Sequence, residues 1–163
     1  MKNSLLVGSI CMLFSCQTKV DDRSKELQNQ IDGLKSELSI TYKPGFGEFM
    51  GNIQEHHAKL WFAGENGNWK LADFEINEIK ENLEAIQKYE TDRAESVMIP
   101  MIEPAIDSVS NAIQKQNFDQ FNSSYNLLTN TCVNCHQATK HEFIQIQVPN
   151  MNTFSNQKFK IGN

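Results

Sequence analysis

The chain has 163 residues, which is enough for one domain with additional segments at its ends. Its formal net charge is -5, so the composition offers no basic footprint for nucleic acid or for an anionic membrane surface. No GxSxG, HExxH or P-loop pattern occurs in the sequence, and we therefore expect a protein that is not an enzyme.

The start of the sequence has the pattern of an export signal. Lys2 supplies a positive charge, and residues 5–14 form an apolar run that is too short to span a bilayer stably. The run closes in the letters LFSC, which end at Cys16 and resemble a bacterial lipobox, although Phe14 is bulkier than that pattern prefers. We predict a signal peptide over residues 1–15, lipidation of Cys16, and a location on the periplasmic side of a bacterial membrane or at the cell surface. An ordinary secretory signal that is cut nearby is the alternative.

Two segments precede the main domain. Residues 16–24 are polar and charged and predict a tether between the lipid and the domain. Residues 25–40 predict an amphipathic helix, because apolar residues recur at steps of four, three and four, as in a coiled-coil seam. These residues are Leu27, Ile31, Leu34 and Leu38. Two interpretations stay open, namely a stalk that self-associates through residues 27–38 and a helix that lies on its own bundle.

Pro44 and Gly45 interrupt this pattern and mark the start of a main domain, which we expect over residues 44–141. The first helix of the domain presents one apolar stripe of Phe46, Met50, Ile53, His57, Leu60 and Trp61. Gly64 fits its C-terminal cap. Asn68 fits the N-cap of the second helix, whose stripe consists of Ala72, Ile76, Ile79, Leu83 and Ile86.

Residues 89–104 form the loosest predicted connection, and they contain two prolines. Pro104 suits the first turn of a third helix. Asn117 ends that helix and caps a fourth, which we expect to run from Phe118 to about His141. Four helices with short loops and no alternating strand pattern predict an all-α fold, an antiparallel four-helix bundle.

The end of the sequence differs from the helical segments. Apolar residues alternate with polar ones over residues 144–148, and Pro149 follows them. Beyond this proline the sequence is polar, with isolated Phe154 and Phe159. We predict that residues 142–163 form an extended tail that wraps the bundle.

The motif Cys132-Val-Asn-Cys135-His136 lies near the end of the last predicted helix. Two cysteines separated by two residues and followed at once by histidine form the attachment signature of a c-type haem. Each thiol adds across a vinyl group of the porphyrin, and the histidine ligates the iron. On a helix these three side chains leave the same face and can reach one flat macrocycle. We therefore predict one covalent haem c.

Other interpretations of the motif are a redox dithiol, a structural zinc site with His136 and His141, and a chance CxxC, each of which leaves a haem-free bundle for interaction. A zinc site normally wants four ligands, and the mature chain offers two thiols with scattered histidines. A disulfide oxidoreductase normally carries its CxxC at a helix start beside a sheet, and no strand pattern precedes this motif.

A haem-attachment motif near the end of the last helix of a four-helix bundle resembles the class II c-type cytochromes, the cytochrome c-prime and cytochrome c-556 group. The resemblance covers about residues 44–141 and depends on Cys132, Cys135 and His136. Lys140 supports it, because family members usually place a basic residue one helical turn after the histidine. The predicted lipid anchor, N-terminal helix and tail depart from the family's plan.

The resemblance implies that a residue of the first helix covers the distal side of the haem, a methionine in the electron carriers and an apolar residue in the gas-binding members. Met50 is the favoured ligand by its height in the bundle. His136 lies five residues before His141, and Met50 lies five residues after Gly45, so antiparallel helices bring the two to the same level.

Other residues compete with Met50 for the distal position. Met98 and Met101 lie at the entry to the third helix, at the same end of the bundle as the motif. His57 shares the stripe of Met50 but lies seven residues deeper, about 10 Å along the helix axis. An open distal position is the further alternative.

The distal ligand decides the expected function. A His136–Met50 pair favours a one-electron carrier between membrane-associated redox partners, whereas a five-coordinate iron favours a protein that binds or senses NO or CO. The side chains expected around the porphyrin are Phe46, Phe49, Phe121, Tyr125 and Leu128, with Arg93 or Lys140 available for its propionates.

Overall fold

The computed structural model of the chain describes residues 17–41 and 44–161. The predicted signal peptide and lipidation site at Cys16 lie outside these residues. All regular secondary structure of the described residues is helical, with no strand, so the prediction of an all-α fold is confirmed for this part of the chain. The chain divides into two compact units, Met1–Lys43 and Pro44–Asn163.

Among the described residues of the first unit there is one helix, α1, which spans Gln17–Thr41. The segment that we expected to be a tether, from Gln17 to Ser24, is therefore helical and continuous with the amphipathic segment after it. Every side chain over residues 22–40 is exposed. In the part of the chain that the structure describes, no helix is both long enough and apolar enough to cross a membrane.

Four α-helices of the second unit enclose its core. They are α2 (Phe46–Glu65), α3 (Trp69–Tyr89), α4 (Glu103–Gln114) and α5 (Phe118–Ala138). Each helix packs against the next in the chain, and α5 also contacts α2. Asn68 and Asn117 cap α3 and α5 as predicted, because their side chains accept hydrogen bonds from the backbone N–H groups of Leu71 and Gln120.

The segment between α3 and α4 is a 3₁₀ helix over Ala94–Ile102, where the sequence predicted a loose connection. Ile99 and Ile102 are buried and three residues apart, which matches the 3₁₀ repeat and places both on one face. The Ser96 hydroxyl donates a 2.6 Å hydrogen bond to the main-chain oxygen of Glu90. This helix contacts α3, α4 and α5 and so belongs to the core.

Three of the helices end in the same way. After α2, α4 and α5, the second residue beyond the helix has a positive φ, at Gly67 (66°), Gln116 (51°) and Lys140 (63°). In each case its N–H and the next N–H bond back to the last turn, as in the Schellman motif; for α5 these bonds are Lys140 to Gln137 and His141 to His136. Helix α5 therefore ends at Ala138, three residues before the predicted end.

Gly64 does not cap α2, because it lies buried inside that helix. A Cβ atom at this position would clash with the ring carbons of Phe121, which is fully buried on α5. The absence of a side chain at Gly64 therefore allows α2 and α5 to approach closely. The glycine that follows the end of α2 in the left-handed conformation is Gly67.

Residues 142–161 contain no helix or strand, but they contact the helices. Phe159 is buried, and its ring centroid lies 5.5 Å from that of Phe62. The side-chain amide of Asn68 donates a 3.0 Å hydrogen bond to the main-chain oxygen of Phe159. The far end of this segment is thus held against the α2–α3 connection.

Candidate functional site

A cavity of about 400 Å³ lies within the second unit. Its wall comes from α2, α3, the 3₁₀ helix, α5 and the segment after α5. Most of the wall is apolar and includes Phe46, Ile53, Ile79, Leu83, Ile99, Ile102, Leu128 and Ile146. The volume lies within the range of about 300–1,000 Å³ typical of ligand sites, and the apolar wall suits a hydrophobic ligand.

Cys132, Cys135 and His136 all line this cavity. They lie on the last two turns of α5, and both cysteines are free thiols. Burial raises the pKa of Cys132 to about 12 and also raises the pKa of Cys135. The negative end of the α5 dipole further opposes a thiolate here. The two sulfur atoms are therefore neutral thiols on one wall of an apolar cavity.

The ring of His136 is oriented by the segment after α5. Its Nδ1 atom lies 3.0 Å from the main-chain oxygen of Ile144. A carbonyl oxygen only accepts hydrogen bonds, so Nδ1 is the donor, and in the neutral form of the ring Nε2 is the nitrogen with the lone pair. A metal-ligating histidine typically has this arrangement, with one ring nitrogen on the metal and the other donating to a backbone or carboxylate oxygen.

The wall of the cavity also includes Met50, which lies half-buried on α2. Met98 is half-buried against the core and Met101 is 36% exposed, and neither belongs to the cavity wall. Among the methionines considered as ligands, the cavity therefore brings Met50 together with the Cys132–His136 motif.

His57 also lines the cavity, but both of its ring nitrogens already have partners. Nδ1 lies 3.0 Å from the Tyr125 hydroxyl, and Nε2 lies 2.9 Å from the Thr129 hydroxyl. Burial lowers the pKa of His57 to about 4, so the ring is neutral near pH 7. In this network His57 has no free lone pair for a metal.

The remaining residues expected around the porphyrin divide into two groups. Phe46 and Leu128 line the cavity. Phe49, Phe121 and Tyr125 are buried in the core and do not form its wall, and Lys140 is exposed outside it. An apolar stripe shows which face of a helix is buried, but it does not show how far along the axis each residue lies from the motif. Phe121 precedes Cys132 by eleven residues, about 16 Å along the axis of α5.

Several residues of the wall were not predicted from the sequence. Glu95 and His141 line the cavity beside Arg93, and Ile144 and Ile146 line it from the segment after α5. The alternation of apolar residues over 144–148 was a signal for the last two. Glu95 had no such signal, because its position depends on the 3₁₀ helix.

Arg93 and Glu95 form an ion pair on the wall. The Nη2 atom of Arg93 lies 3.1 Å from Oε1 of Glu95, and the His141 ring lies 3.9 Å from the same oxygen. The guanidinium group lowers the pKa of Glu95. It also lies over the ring of Phe46, at 4.9 Å from the ring centroid. This part of the wall is polar, and its guanidinium group has further N–H donors besides the one paired with Glu95.

The described residues contain no group of three or more His, Cys, Asp and Glu side chains arranged to hold a metal ion. This finding argues against a zinc site built from the two thiols, His136 and His141. It does not bear on a haem, because the porphyrin nitrogens supply most of the iron's ligands and the protein adds one or two.

Comparisons with protein-family models, curated proteins and solved structures find no match for this chain. The functional proposal therefore depends on the residues of the cavity. Two neutral thiols, an imidazole with a free Nε2 lone pair and an apolar wall fit a covalently attached haem.

Proposed function

We propose that this protein is a mono-haem c-type cytochrome that carries single electrons between membrane-associated redox partners. In this proposal residues 44–141 form an antiparallel four-helix bundle around the haem, and the chain is exported and anchored by a lipid on Cys16. The observation that carries the proposal is that Cys132, Cys135 and the Nδ1-protonated ring of His136 line one apolar cavity.

Each residue of the motif has a distinct part in the proposal. Cys132 and Cys135 would hold the porphyrin by thioether bonds, each formed by addition of the thiol S–H across one vinyl group. His136 offers Nε2 as the proximal ligand, while its Nδ1–H stays on the Ile144 oxygen. When bound, the haem supplies a reversible one-electron couple.

Met50 is the proposed distal ligand. It lines the same cavity, and a thioether is a soft ligand that favours ferrous iron. A His–Met pair raises the reduction potential relative to two histidines. His57, Met98 and Met101 have less support, because the first is engaged by Tyr125 and Thr129 and the other two do not line the cavity.

The polar part of the wall supports one further role. The guanidinium group of Arg93 is the proposed partner of a haem propionate, because it lies on the wall over Phe46. Lys140 has less support for this role, since its side chain lies outside the cavity wall.

A redox dithiol has less support than a haem site. Catalytic CxxC cysteines have lowered thiol pKa values, usually at a helix N-terminus or beside a cation. Here the pKa values of Cys132 and Cys135 are raised, and the motif lies in the last turns of α5. Both properties oppose the thiolate that disulfide exchange needs.

A second candidate function is the binding of small gases at an iron without a sixth protein ligand. One observation favours it. Gly47 and Gly51, which are close to Met50 in the sequence, line the cavity without side chains, so they add no bulk to this part of the wall.

The first experiment tests attachment of the haem. The chain is produced with a c-type haem-attachment system and treated with denaturant and acid–acetone. The haem absorption band should stay with the wild-type chain and leave a Cys132→Ala/Cys135→Ala chain. A wild-type chain that keeps no haem after this treatment would exclude the c-type cytochrome.

The second experiment separates the two functions. Ferrous wild-type protein should bind carbon monoxide slowly or not at all, and Met50→Ala should bind it promptly. Met98→Ala is the matched control, because it removes a half-buried methionine outside the cavity wall, and it should behave like the wild type. Prompt binding by the wild type would favour the gas-binding function instead.

The anchor has its own test. Cys16→Ser should release the protein from the membrane fraction, whereas wild-type protein should sediment with it. A Cys16→Ser protein that stays with the membranes would contradict lipid anchoring at this residue.

A further inference from the structure

The hydrogen bond that orients His136 comes from outside the helices. Its acceptor, the main-chain oxygen of Ile144, lies eight residues later, in the segment that follows α5. The side chains of Ile144 and Ile146 line the same cavity as the Cys132–His136 motif. This segment therefore contributes both a polar contact and an apolar wall on the His136 side of the site.

The same segment is held to the helices along its length. Val148 and Phe154 pack against the core, and the ammonium group of Lys59 lies 5.2 Å from the ring centroid of Phe154. Phe159 is only 4% exposed and lies against Phe62. The side-chain amide of Asn68 donates a hydrogen bond to the main-chain oxygen of Phe159 and so links this end of the segment to the start of α3.

We propose that residues 142–161 are a functional part of the haem site, in which the Ile144 carbonyl positions His136. The Ile144 N–H donates a 2.9 Å hydrogen bond to the His141 oxygen, and the Phe159–Asn68 contact helps to hold the rest of the segment against the helices. The effect on the iron rests on the proposed function. The positioning of His136 does not, because the hydrogen bond is made by the chain alone.

This positioning has a chemical consequence for the imidazole. A hydrogen bond from Nδ1–H to a carbonyl oxygen increases the electron density at Nε2 and so makes it a stronger ligand. It also fixes the tautomer and the ring orientation before the ligand is bound. Without the segment, Nδ1–H would face water, and the tautomer would no longer be set by the protein.

The first test uses the haem-free chain, so it is independent of the proposed function. Nitrogen-15 NMR of His136 near pH 8 should show the proton on Nδ1 in the full chain. A chain that ends at Glu142 should shift toward the Nε2–H tautomer, which neutral histidine prefers in water. Phe159→Ala should shift the His136 tautomer in the same direction. This second variant keeps the full chain length, so the test can still be made if the shorter chain does not fold.

A further variant tests the contact between Asn68 and Phe159 alone, and a second variant is its control. Asn68→Asp keeps a side-chain acceptor for the Leu71 N–H and so preserves the cap of α3, but it removes the donor to the Phe159 oxygen. It should shift the His136 tautomer as Phe159→Ala does. Met151→Ala is the control, because Met151 lies in the same segment and is 69% exposed. It should leave the tautomer unchanged.

The second test uses the haem-loaded protein with Met50→Ala as background, so that the ferrous iron has no thioether ligand. Resonance Raman spectroscopy should show an iron–histidine stretch that falls to lower frequency in the chain ending at Glu142 and in Phe159→Ala. Met151→Ala should keep the frequency of the full chain.

The outcomes separate the two proposals. Absence of covalent haem from the full chain contradicts the cytochrome and leaves the NMR result standing. An unchanged His136 tautomer, in variants whose amide exchange shows that residues 144–161 have been released, overturns the positioning role even if haem is attached. An unchanged iron–histidine frequency in the released variants overturns its effect on the iron.

Discussion

The hydroxyl group of Tyr125 lies 2.8 Å from the main-chain oxygen of His57 and 3.0 Å from Nδ1 of the same residue. On the other side of the ring, Nε2 lies 2.9 Å from the Thr129 hydroxyl, which itself donates to the Tyr125 main-chain oxygen. Nε2 therefore carries the proton, and the Nδ1 lone pair faces the Tyr125 hydroxyl. This network ties α2 to α5 beside the cavity, and burial of the ring lowers the pKa of His57 so that it is neutral near pH 7.

The neutral state of His57 predicts a loss of stability in acid. Its pKa is lowered by burial from 6.5 to about 4, so below pH 6.5 the unfolded chain binds a proton that the folded chain refuses. The free energy of unfolding is therefore unaffected above pH 6.5 and falls as the pH drops toward 4, by about 3 kcal/mol in total. Urea unfolding of the haem-free chain at a series of pH values measures this loss.

His57→Gln is the control for that measurement. Glutamine offers one donor and one acceptor but does not titrate in this range. The difference in unfolding free energy between wild type and His57→Gln should shrink as the pH falls from 7 to 4. A difference that stays constant with pH would contradict the burial of a neutral His57.

Replacement of Gly64 by alanine should lower the unfolding free energy of the protein. Gly64→Ala places a methyl group against the ring carbons of Phe121, and this ring is fully buried. We expect a loss of about 1–3 kcal/mol in unfolding free energy from this overpacking. Gly51→Ala lies in the same helix with open space around its Cβ and should gain up to about 1 kcal/mol. A Gly64→Ala protein as stable as Gly51→Ala would contradict the close contact of α2 and α5.

Replacement of Lys140 by glycine should stabilise the protein. Lys140 occupies the left-handed region with φ of 63°, which costs about 1–2 kcal/mol for a residue with a Cβ atom. Lys140→Gly removes this strain but makes the unfolded chain more flexible, so we expect a net gain of about 0.5–1 kcal/mol. Lys140→Ala removes the charge and keeps the strain, and it should be close to wild type. Thermal unfolding of the three proteins decides between strain and charge.

The helices themselves could be predicted because their signals are local. Asn68 and Asn117 precede α3 and α5 by one residue, and each side chain caps the helix that follows. Apolar residues at helical spacing gave the buried faces of α2 and α3, since residues such as Ile53 and Ile76 are buried. Both signals depend on a few neighbouring residues and not on the rest of the chain.

The parts of the structure that could not be predicted depend on residues distant in sequence. Lys140 ends α5 although it is not a glycine, and the Schellman hydrogen bonds outweigh its left-handed strain. Prolines at 100 and 104 indicated a break, while the burial of Ile99 and Ile102 makes the segment a 3₁₀ helix.

The same reason limits prediction of the candidate site. The motif on α5 predicts a haem and the height of Met50 in the bundle predicts its distal ligand, and these residues do line one cavity. The contact between His136 and the Ile144 oxygen had no sequence signal. Every residue has a main-chain carbonyl group, and only the path of the chain after α5 determines which of them lies next to His136.

The exposed seam of α1 gives the last prediction. With Ile31 at heptad position a, the apolar positions Leu27 and Leu34 fall at d, a pattern that favours two parallel strands. Leu34 is 65% exposed, so its apolar surface is available to a second copy. We expect the chain to associate into dimers in a concentration-dependent way, and Leu34→Asp should raise the dissociation constant at least about tenfold, a cost of about 1.4 kcal/mol.

Ile40→Asp is the matched control, because Ile40 is apolar and 78% exposed in the same helix but lies off the seam, at position c. Sedimentation of a chain that starts at Gln17 measures the association without a lipid. If Ile40→Asp weakens it as much as Leu34→Asp, the contact is not the heptad seam. If the wild-type chain stays monomeric at every concentration, the seam does not drive self-association and α1 acts as a single helix.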